Sequence, residues 1–304
     1  MTQGSDRPVM GVLLMIGFAV TAPVMDSFAK FAADEIPVGQ IVAARFSLQV
    51  LILFPVAGLI GKLGRPNAAE AGLHLIRAAL ILMATSAFFT ALGSMPLADA
   101  IAIFFVEPFI LTVLGALFLG ETVGWRRILA CLVGFAGALL IIRPSFSAFG
   151  PVALLPLFTA FCFANYVVLT RRVARQSHPV ALQAWTALAA VLIVVPVLAV
   201  FSGSGAGPLD IVMPTGLFWL WLAGVGLAAT VSHLFISAAV SLAPAATIAP
   251  LQYLEIVAAT ALGYVIFNDL PDTQSVVGIA IIIGAGLYVF LRERHLNRPP
   301  PPPP

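Results

Sequence analysis

Two glutamates, Glu107 and Glu255, lie deep inside long apolar stretches of the sequence. A charged side chain near the centre of a bilayer costs about 2.5–3.5 kcal/mol on insertion scales, so it persists when it faces a wet cavity, finds a partner or is neutralised. Paired carboxylates in such a place can bind a cationic group of a substrate or carry a coupling proton. The structural alternative is a pair held by basic or polar groups on adjacent helices.

Three further charged residues stand in or near the same apolar stretches. Asp26 and Lys30 are four positions apart and therefore share one helical face, as a local ion pair, an outer gate element or a substrate contact. Arg45 lies deep enough to need an anionic partner, and Asp26 is the acid nearest to it in depth. We expect an Arg45–Asp26 salt bridge, with a clamp for an anionic substrate group as the alternative.

Neutral polar residues complete the set of candidates. His233 can relay protons or pack as a neutral core histidine. Asn165, Tyr166 and Gln252 offer hydrogen-bonding groups, and Gln252 lies about one helical turn before Glu255. Aromatic side chains can stack on a ring-shaped cargo, although most of the 22 phenylalanines are expected to pack against helices or lipid. The aromatic candidates are Phe88, Phe89, Phe104 and Trp185.

The composition decides which solvent surrounds these groups. The 304 residues are 61% hydrophobic and only 9% charged, whereas soluble chains carry about a quarter charged residues. The chain is therefore expected to sit in lipid. The net charge of +2 does not indicate a nucleic-acid partner. The sequence lacks metal-ligand clusters, catalytic motifs and phosphate loops, so it predicts no catalytic residue, cofactor or metal. Cys131 and Cys162 lie in apolar runs and are interpreted as core residues.

Apolar windows of about 20 residues, the length that crosses about 30 Å of hydrocarbon, divide the chain into ten predicted membrane spans. The runs are continuous and do not alternate, which excludes β-barrel strands. The fold class is therefore an all-α membrane protein. In order, spans 1 to 10 are predicted at 9–31, 38–60, 72–94, 98–119, 126–143, 151–169, 180–201, 215–239, 245–267 and 274–291.

The basic residues predict the orientation. With a cytoplasmic N-terminus, twelve Lys and Arg residues fall on inside segments and two, Lys30 and Arg143, on outside segments. This asymmetry is the positive-inside signal, and it predicts a multi-pass protein of a bacterial inner membrane with both termini in the cytoplasm. The Pro-rich tail 293–304 is interpreted as a solvated end, with docking to a partner groove as the alternative. The inside residues are Arg7, Lys62, Arg65, Arg77, Arg126, Arg127, Arg171, Arg172, Arg175, Arg292, Arg294 and Arg298.

The two halves of the chain resemble each other when one is shifted by 148 residues. We therefore predict a first repeat at 1–145 and a second at 146–292, each with five spans. Five is odd, so the second repeat enters the bilayer from the opposite side, which is typical of secondary transporters with a site at the repeat interface. The matched pairs are Pro96 and Pro244, Ala98 and Ala246, Glu107 and Glu255, Gly115 and Gly263, and Glu121 and Asp269.

The matched positions resemble the drug/metabolite transporter superfamily, specifically its EamA-type two-repeat members. The residues that carry this resemblance in the first copy are Pro96 to Asp99, Glu107-Pro108, Gly120-Glu121, Gly134 and Gly137. In the second copy they are Ala243 to Ala245, Glu255, Asn268-Asp269, Gly278, Gly284 and Gly286. Two positions depart from the pattern, since Ile256 replaces a proline and Asp269-Leu270-Pro271 replaces a Gly-Glu ending.

The resemblance implies ten helices, cytoplasmic termini and a central cavity lined mainly by spans 1, 3, 4, 6, 8 and 9. The segment Asp26 to Lys30, followed by Pro37, Gln40 and Arg45, resembles an alphaproteobacterial subgroup that includes riboflavin and S-adenosylmethionine carriers. The resemblance therefore implies a transporter that moves a small-molecule substrate by alternating access.

We predict a secondary transporter of a small organic metabolite, with a riboflavin-like vitamin favoured and S-adenosylmethionine or an amino acid as the alternative. A channel and a membrane-embedded enzyme are the competing classes. Proton coupling through the two glutamates is an open prediction. So is a homodimer through the small-residue stripes of spans 5 and 10, at Ala130, Gly134, Ala138, Ala280 and Gly284.

Overall fold

The computed structural model describes residues 8–119, 124–173, 178–242 and 249–296. These residues form helices and connecting turns, and no β-strand occurs among them. Short 3₁₀ segments occur at Gly150–Leu154, Gly207–Leu209 and Ala249–Tyr253. The α-helices are α1 Pro8–Ala32, α2 Val38–Leu59, α3 Ala68–Leu92, α4 Leu97–Phe104, α5 Glu107–Leu119, α6 Trp125–Phe149, α7 Leu155–Val173, α8 Pro179–Phe201, α9 Phe218–Leu242, α10 Leu254–Phe267 and α11 Thr273–Leu296.

Seven stretches of the described chain are long and apolar enough to cross a membrane. One of them, Ile128–Thr170, contains both α6 and α7, and two shorter apolar helices follow at Leu251–Phe267 and Thr273–Val289. The all-helical membrane architecture predicted from composition is therefore confirmed. The other six stretches are Val9–Ala32, Val38–Leu59, Ala68–Leu92, Leu97–Leu114, Pro179–Phe201 and Phe218–Ile236.

Several helices extend beyond their predicted ends. The side chain of Asn67 caps α3 in a reciprocal capping box with Glu70, so the helix begins at Ala68 and not at 72. Arg77, which we counted with the inside segments, consequently lies nine residues within the helix. Similarly, α6 continues through Pro144 to Phe149, past the predicted repeat boundary at 145. The last helix reaches Leu296, inside the predicted tail 293–304, and residues from 297 lie outside the described part.

The predicted fourth span is broken into two helices. α4 ends at Phe104, residues 105 and 106 form a turn, and α5 begins at Glu107. The cause is Pro108, which has no N–H to donate to the carbonyl of Phe104 and is well tolerated in the first turn of a new helix. Pro108 thus produces a bend next to the first glutamate, and this bend places Glu107 at a helix start in the interior of the span.

The predicted ninth span is interrupted at the related position. The 3₁₀ segment Ala249–Tyr253, which contains Pro250, leads into α10, and Glu255 lies in the first turn of α10. The preceding residues 243–248, including the Pro244 that was matched to Pro96, lie outside the described residues. Both glutamates thus occupy the start of a helix that begins partway through a predicted span.

We call the face where α1 begins the inner face and the face where it ends the outer face, following the predicted orientation.

The most extensively packed helix pairs join the first half of the chain to the second. When each helix is replaced by the corresponding helix of the other repeat, each of these pairs becomes either another pair of the set or the same pair again. The related pairs are α1·α9 with α3·α7, α1·α10 with α5·α7, and α2·α9 with α3·α8, while α2·α8 and α6·α11 are self-related.

Helices α6 and α11 pack at backbone distance through glycines. A Cβ added at Gly137 would lie 3.0 Å from the carbonyl oxygen of Gly278, and one added at Gly278 would lie 2.6 Å from the carbonyl oxygen of Gly137. Ile141 faces Gly278 and Ile281 faces Gly137, so the two helices run antiparallel. The contact is made by Gly137 and Gly278, which do not belong to the small-residue stripes named above.

An aromatic side chain of each half also packs into a glycine of the same half. The ring of Phe109 on α5 lies against Gly134 on α6, and the hydroxyl of Tyr253 lies against Gly286 on α11. Each broken helix is thereby anchored to the α6–α11 pair just beside its glutamate.

Gly278→Leu should destabilise the fold, because its Cβ would lie 2.6 Å from the backbone carbonyl oxygen of Gly137 as well as 2.5 Å from Cγ1 of Ile141, so a shift of the Ile141 side chain alone would not relieve the clash. We expect a loss of about 1–3 kcal/mol, as for other overpacked cores, measured as a lower melting temperature in detergent. Gly284→Leu on the same helix is the matched control, since a Cβ there meets nothing within 4 Å. Equal melting temperatures for the two variants would contradict the close α6–α11 contact.

Candidate functional site

Glu107 and Glu255 come close enough to interact electrostatically. Glu255 is 8% exposed, and Glu107 is half-buried. The broken helices account for this meeting, because both glutamates stand in the first turn of a helix that starts inside the bundle. One acid from each half of the chain thus enters a shared interior region.

Asp26 on α1 is the third acid of this interior region. It is 3% exposed and lies within electrostatic range of both Glu255 and Arg45. Its Oδ1 atom has no hydrogen-bond partner among the described residues. We call Asp26, Arg45, Glu107 and Glu255, which are linked by these electrostatic interactions, the central cluster.

The expected Arg45–Asp26 salt bridge is not formed in the structure. Arg45 instead donates to the Oγ1 atom of Thr85 on α3, and its Nη2 atom lies 3.5 Å from Nε2 of His233 on α9. The reason is the direction in which Arg45 points, because α2 packs on α3, α8 and α9 and not chiefly on α1. The Nε atom of Arg45 is buried without a partner.

His233 supports Arg45. Its Nδ1 atom lies 2.9 Å from the carbonyl oxygen of Ala229, which only an Nδ1–H can satisfy as a hydrogen bond. The Nε2 atom then carries the lone pair and faces the guanidinium of Arg45 as an acceptor. The geometry indicates a positioning role for His233 on the cation.

The remaining candidates lie in different surroundings. The Asn165 amide donates to the carbonyl of Phe161 on its own helix, at 2.8 Å. Gln252 is half-buried in the 3₁₀ segment before Glu255. Trp185 does not face the central cluster: its indole N–H donates to the carbonyl of Gly64, in the connection between α2 and α3, and its ring meets Phe54 edge-on.

Phe104 belongs to an aromatic cluster that connects the two halves. Its ring meets Phe88, Phe105 and Phe163 at centroid distances of 5.6–6.0 Å in edge-to-face geometry. Phe163 in turn lies 5.7 Å from the ring of Tyr166. These rings come from α3, the α4–α5 turn and α7, so they form an apolar wall that a ring-shaped cargo can contact.

A buried residue that the sequence reasoning missed lies one turn from Arg45. Gln49 on α2 is 2% exposed, and its Oε1 atom has no hydrogen-bond partner among the described residues. An unpaired buried acceptor costs about 1–3 kcal/mol. A glutamine in the middle of a span, four positions after an arginine, was the available signal.

Comparison with known proteins gives the family. The profile of the EamA-like transporter family matches residues 9–143 and 150–291. The chain belongs to the EamA-like transporter family. The resemblance to the drug/metabolite transporter superfamily is thereby confirmed, and this EamA protein is a small-molecule transporter embedded in a membrane.

Curated relatives extend over most of the chain. A riboflavin transporter from Brucella anthropi is 29% identical over 75% of this chain and 79% of its own length. An S-adenosylmethionine uptake transporter from Rickettsia prowazekii is 23% identical over 93% of each. A crystal structure superimposes with a TM-score of 0.66 over 97% of this chain and 100% of the other, at 18% identity, and it supports the fold alone.

An ion pair joins the two halves of this EamA transporter near the outer face. Lys30 does not pair with Asp26, as one of our interpretations had it, but with Asp269 at 2.8 Å. Lys30 also donates to the carbonyl of Met95 and lies over the ring of Phe267. Asp269 follows α10, where its N–H bonds back to the carbonyl of Gly263. We call this Lys30–Asp269 contact the outer latch.

A second contact joins the halves nearer the inner face, and the sequence reasoning missed it. Arg77 on α3 is fully buried and donates to Thr170 and Tyr166 on α7 and to Thr186 on α8, at 2.7–3.1 Å. No carboxylate lies within ion-pair distance of it among the described residues. We call this set of hydrogen bonds the inner latch.

The two threonine partners of Arg77 do not depend on it. Thr170 already donates to the carbonyl of Tyr166, and Thr186 to that of Leu182. A buried charge with neutral partners pays a desolvation penalty that no ion pair repays. The inner latch is therefore a contact that holds the halves together while carrying an uncompensated charge.

Arg77→Met should raise the melting temperature, because it removes the buried charge and leaves both threonines hydrogen-bonded. The expected gain is about 1–4 kcal/mol, as for other buried charges replaced by apolar groups. Arg143→Met is the control, since Arg143 is exposed near the outer end of α6. A melting temperature below that of the wild type would contradict the uncompensated charge.

Proposed function

We propose that the chain is a secondary carrier of a bacterial inner membrane, with ten spans in two inverted five-helix repeats and both termini in the cytoplasm. The repeats are proposed at 1–145 and 146–292. The observation that carries the proposal is the meeting of Glu107 and Glu255, one from each half and each at a helix start inside the bundle. The packing of the halves in pairs that the repeat relates, together with the antiparallel course of α6 and α11, supports the inverted arrangement.

Alternating access follows from the position of the two latches. The outer latch ties α1 to the segment after α10, and the inner latch ties α3 to α7 and α8. Because each latch joins opposite halves at a different depth, rocking of one half against the other opens one while the other stays closed. The central cluster lies between them and becomes accessible from each side in turn.

The substrate is proposed to be a riboflavin-like vitamin. The relative named a riboflavin transporter supports this choice, and the aromatic wall around Phe104 suits a flat ring. The alternative is S-adenosylmethionine or an amino acid, which the relative named for S-adenosylmethionine uptake supports. Its cationic group would bind to the acids of the central cluster.

Glu107 and Glu255 are proposed as the groups that bind a cation or carry the coupling proton. Gln252, Asn165, Asp26, Arg45, His233 and Phe104 are proposed to line or support the same site.

Riboflavin counterflow in liposomes tests the carrier mechanism. We expect riboflavin inside the vesicles to accelerate uptake of labelled riboflavin, which distinguishes a carrier from a channel.

Glu107→Gln and Glu255→Gln should each lower riboflavin uptake driven by a pH gradient by about ten-fold, which corresponds to the loss of one charge-assisted hydrogen bond. Glu35→Gln is the control, because Glu35 is exposed in the turn after α1. Wild-type rates and wild-type pH dependence in both variants would rule out the proposed role of the acids.

Unpaired atoms of the central cluster and of Gln49, one helical turn from Arg45, predict how a flavin ring would be held. Asp26 Oδ1 can accept from a ring N–H, Arg45 Nε can donate to a neighbouring carbonyl, and Gln49 can pair with the same edge. Riboflavin presents such an edge at its N3–H group, so 3-methylriboflavin should compete for uptake about ten-fold less well than riboflavin. Gln49→Leu should reduce this difference. Equal competition by both flavins would contradict the assigned edge even if riboflavin is transported.

A further inference from the structure

A groove with a volume of about 320 Å³ lies between α6 and α11, away from the central cluster. Its walls include Leu129 and Val133, which are 52% and 46% exposed, and part of its floor is Gly284. A Cβ at Gly284 would meet nothing within 4 Å. The groove therefore opens on an apolar outer surface of the bundle, which faces the hydrocarbon of the bilayer in a membrane-spanning protein.

The inner end of the groove has a different chemistry. Arg126 lies at the start of α6, is exposed and stacks over the ring of Trp125 at 5.2 Å. No carboxylate whose side chain the structure describes pairs with it. Trp125 and Tyr288 both line the groove and are 67% and 48% exposed. Aromatic side chains of this kind are typical of the membrane–water interface.

A second arginine lies at the level of Arg126. The antiparallel register that places Gly137 opposite Ile281 and Ile141 opposite Gly278 places residue 126 opposite Arg292 of α11. Arg292 is half-exposed. Two cations thus flank the inner end of an apolar groove, and basic pockets between membrane helices bind the head groups of anionic lipids.

We propose that the α6–α11 groove binds an anionic phospholipid, with an acyl chain along Leu129, Val133 and Gly284 and the phosphate on Arg126. Charge complementarity selects this occupant, because an anionic lipid adds net negative charge beside Arg126 and Arg292, whereas a zwitterionic lipid brings its own cation to the same place. The arrangement needs only that the chain is embedded in a membrane, so it stands apart from the identity of the transported substrate. The bound lipid would cover α6 and α11 where their glycine contact leaves a surface gap.

The test measures the melting temperature of the full-length purified protein while phosphatidylglycerol or phosphatidylcholine is added to the detergent. We expect phosphatidylglycerol to stabilise the wild type more than phosphatidylcholine does. Arg126→Gln should weaken the apparent affinity for phosphatidylglycerol about five-fold, the share of one basic residue near an anionic lipid. Arg143→Gln, at the opposite end of the same helix, should leave this affinity unchanged.

A second variant tests the apolar part of the groove. Gly284→Leu fills the floor and should remove the stabilisation by phosphatidylglycerol, while Gly58→Leu, which also meets open space, should retain it. Three results overturn the proposal: equal phosphatidylglycerol affinity in Arg126→Gln and wild type, equal stabilisation by inorganic phosphate, or a dimer in light scattering that Gly284→Leu dissociates. The second identifies a site for a free anion, and the third an interface between two copies of the chain.

Discussion

A charged side chain inside this helical bundle has little water around it to compensate its charge. The contacts that each buried charge makes with other side chains therefore constrain how the helices pack. Glu255, Asp26 and Arg45 are each at most 8% exposed, yet they form no close ion pair with one another. Arg45 is held by a threonine hydroxyl and a histidine nitrogen. Buried opposite charges that do not form an ion pair with each other remain available to bind a substrate. A carrier needs such groups at its binding site.

The two latches differ in how they treat charge, and the difference suits a device that must open on both sides. The outer latch is a direct ion pair with partly exposed partners, so water can take over each charge as it separates. The inner latch is a buried guanidinium among three hydroxyl groups, and the two threonine hydroxyls keep other hydrogen bonds when the guanidinium moves away. Breaking either latch leaves no buried carboxylate without a partner. Each latch can therefore break and form again.

The sequence was sufficient for the membrane class, the bend at Pro108 and the relation between Glu107 and Glu255, because these depend on hydropathy, on backbone chemistry and on an internal repeat. It was insufficient for side-chain partners. Arg45 and Asp26 match in depth, but depth does not say toward which neighbour a side chain points around the helix axis. Lys30 pairs with Asp269, 239 positions away along the chain, because helices of the two halves pack against each other. Arg77 was counted with the inside segments although it falls within the predicted span 72–94, and the cap at Asn67 places it nine residues after the start of the helix.

The interruption of the fourth span has a mechanical consequence. An unbroken helix transmits a tilt from one end to the other as a stiff rod, whereas α4 and α5 meet at a two-residue joint. The Phe109 ring seated on Gly134 fastens α5 to its neighbour, whereas α4 is buried along its length against α3, α6, α7 and α10. Each segment is therefore held by its own contacts, and a tilt of one would reach the other only through the joint next to Glu107.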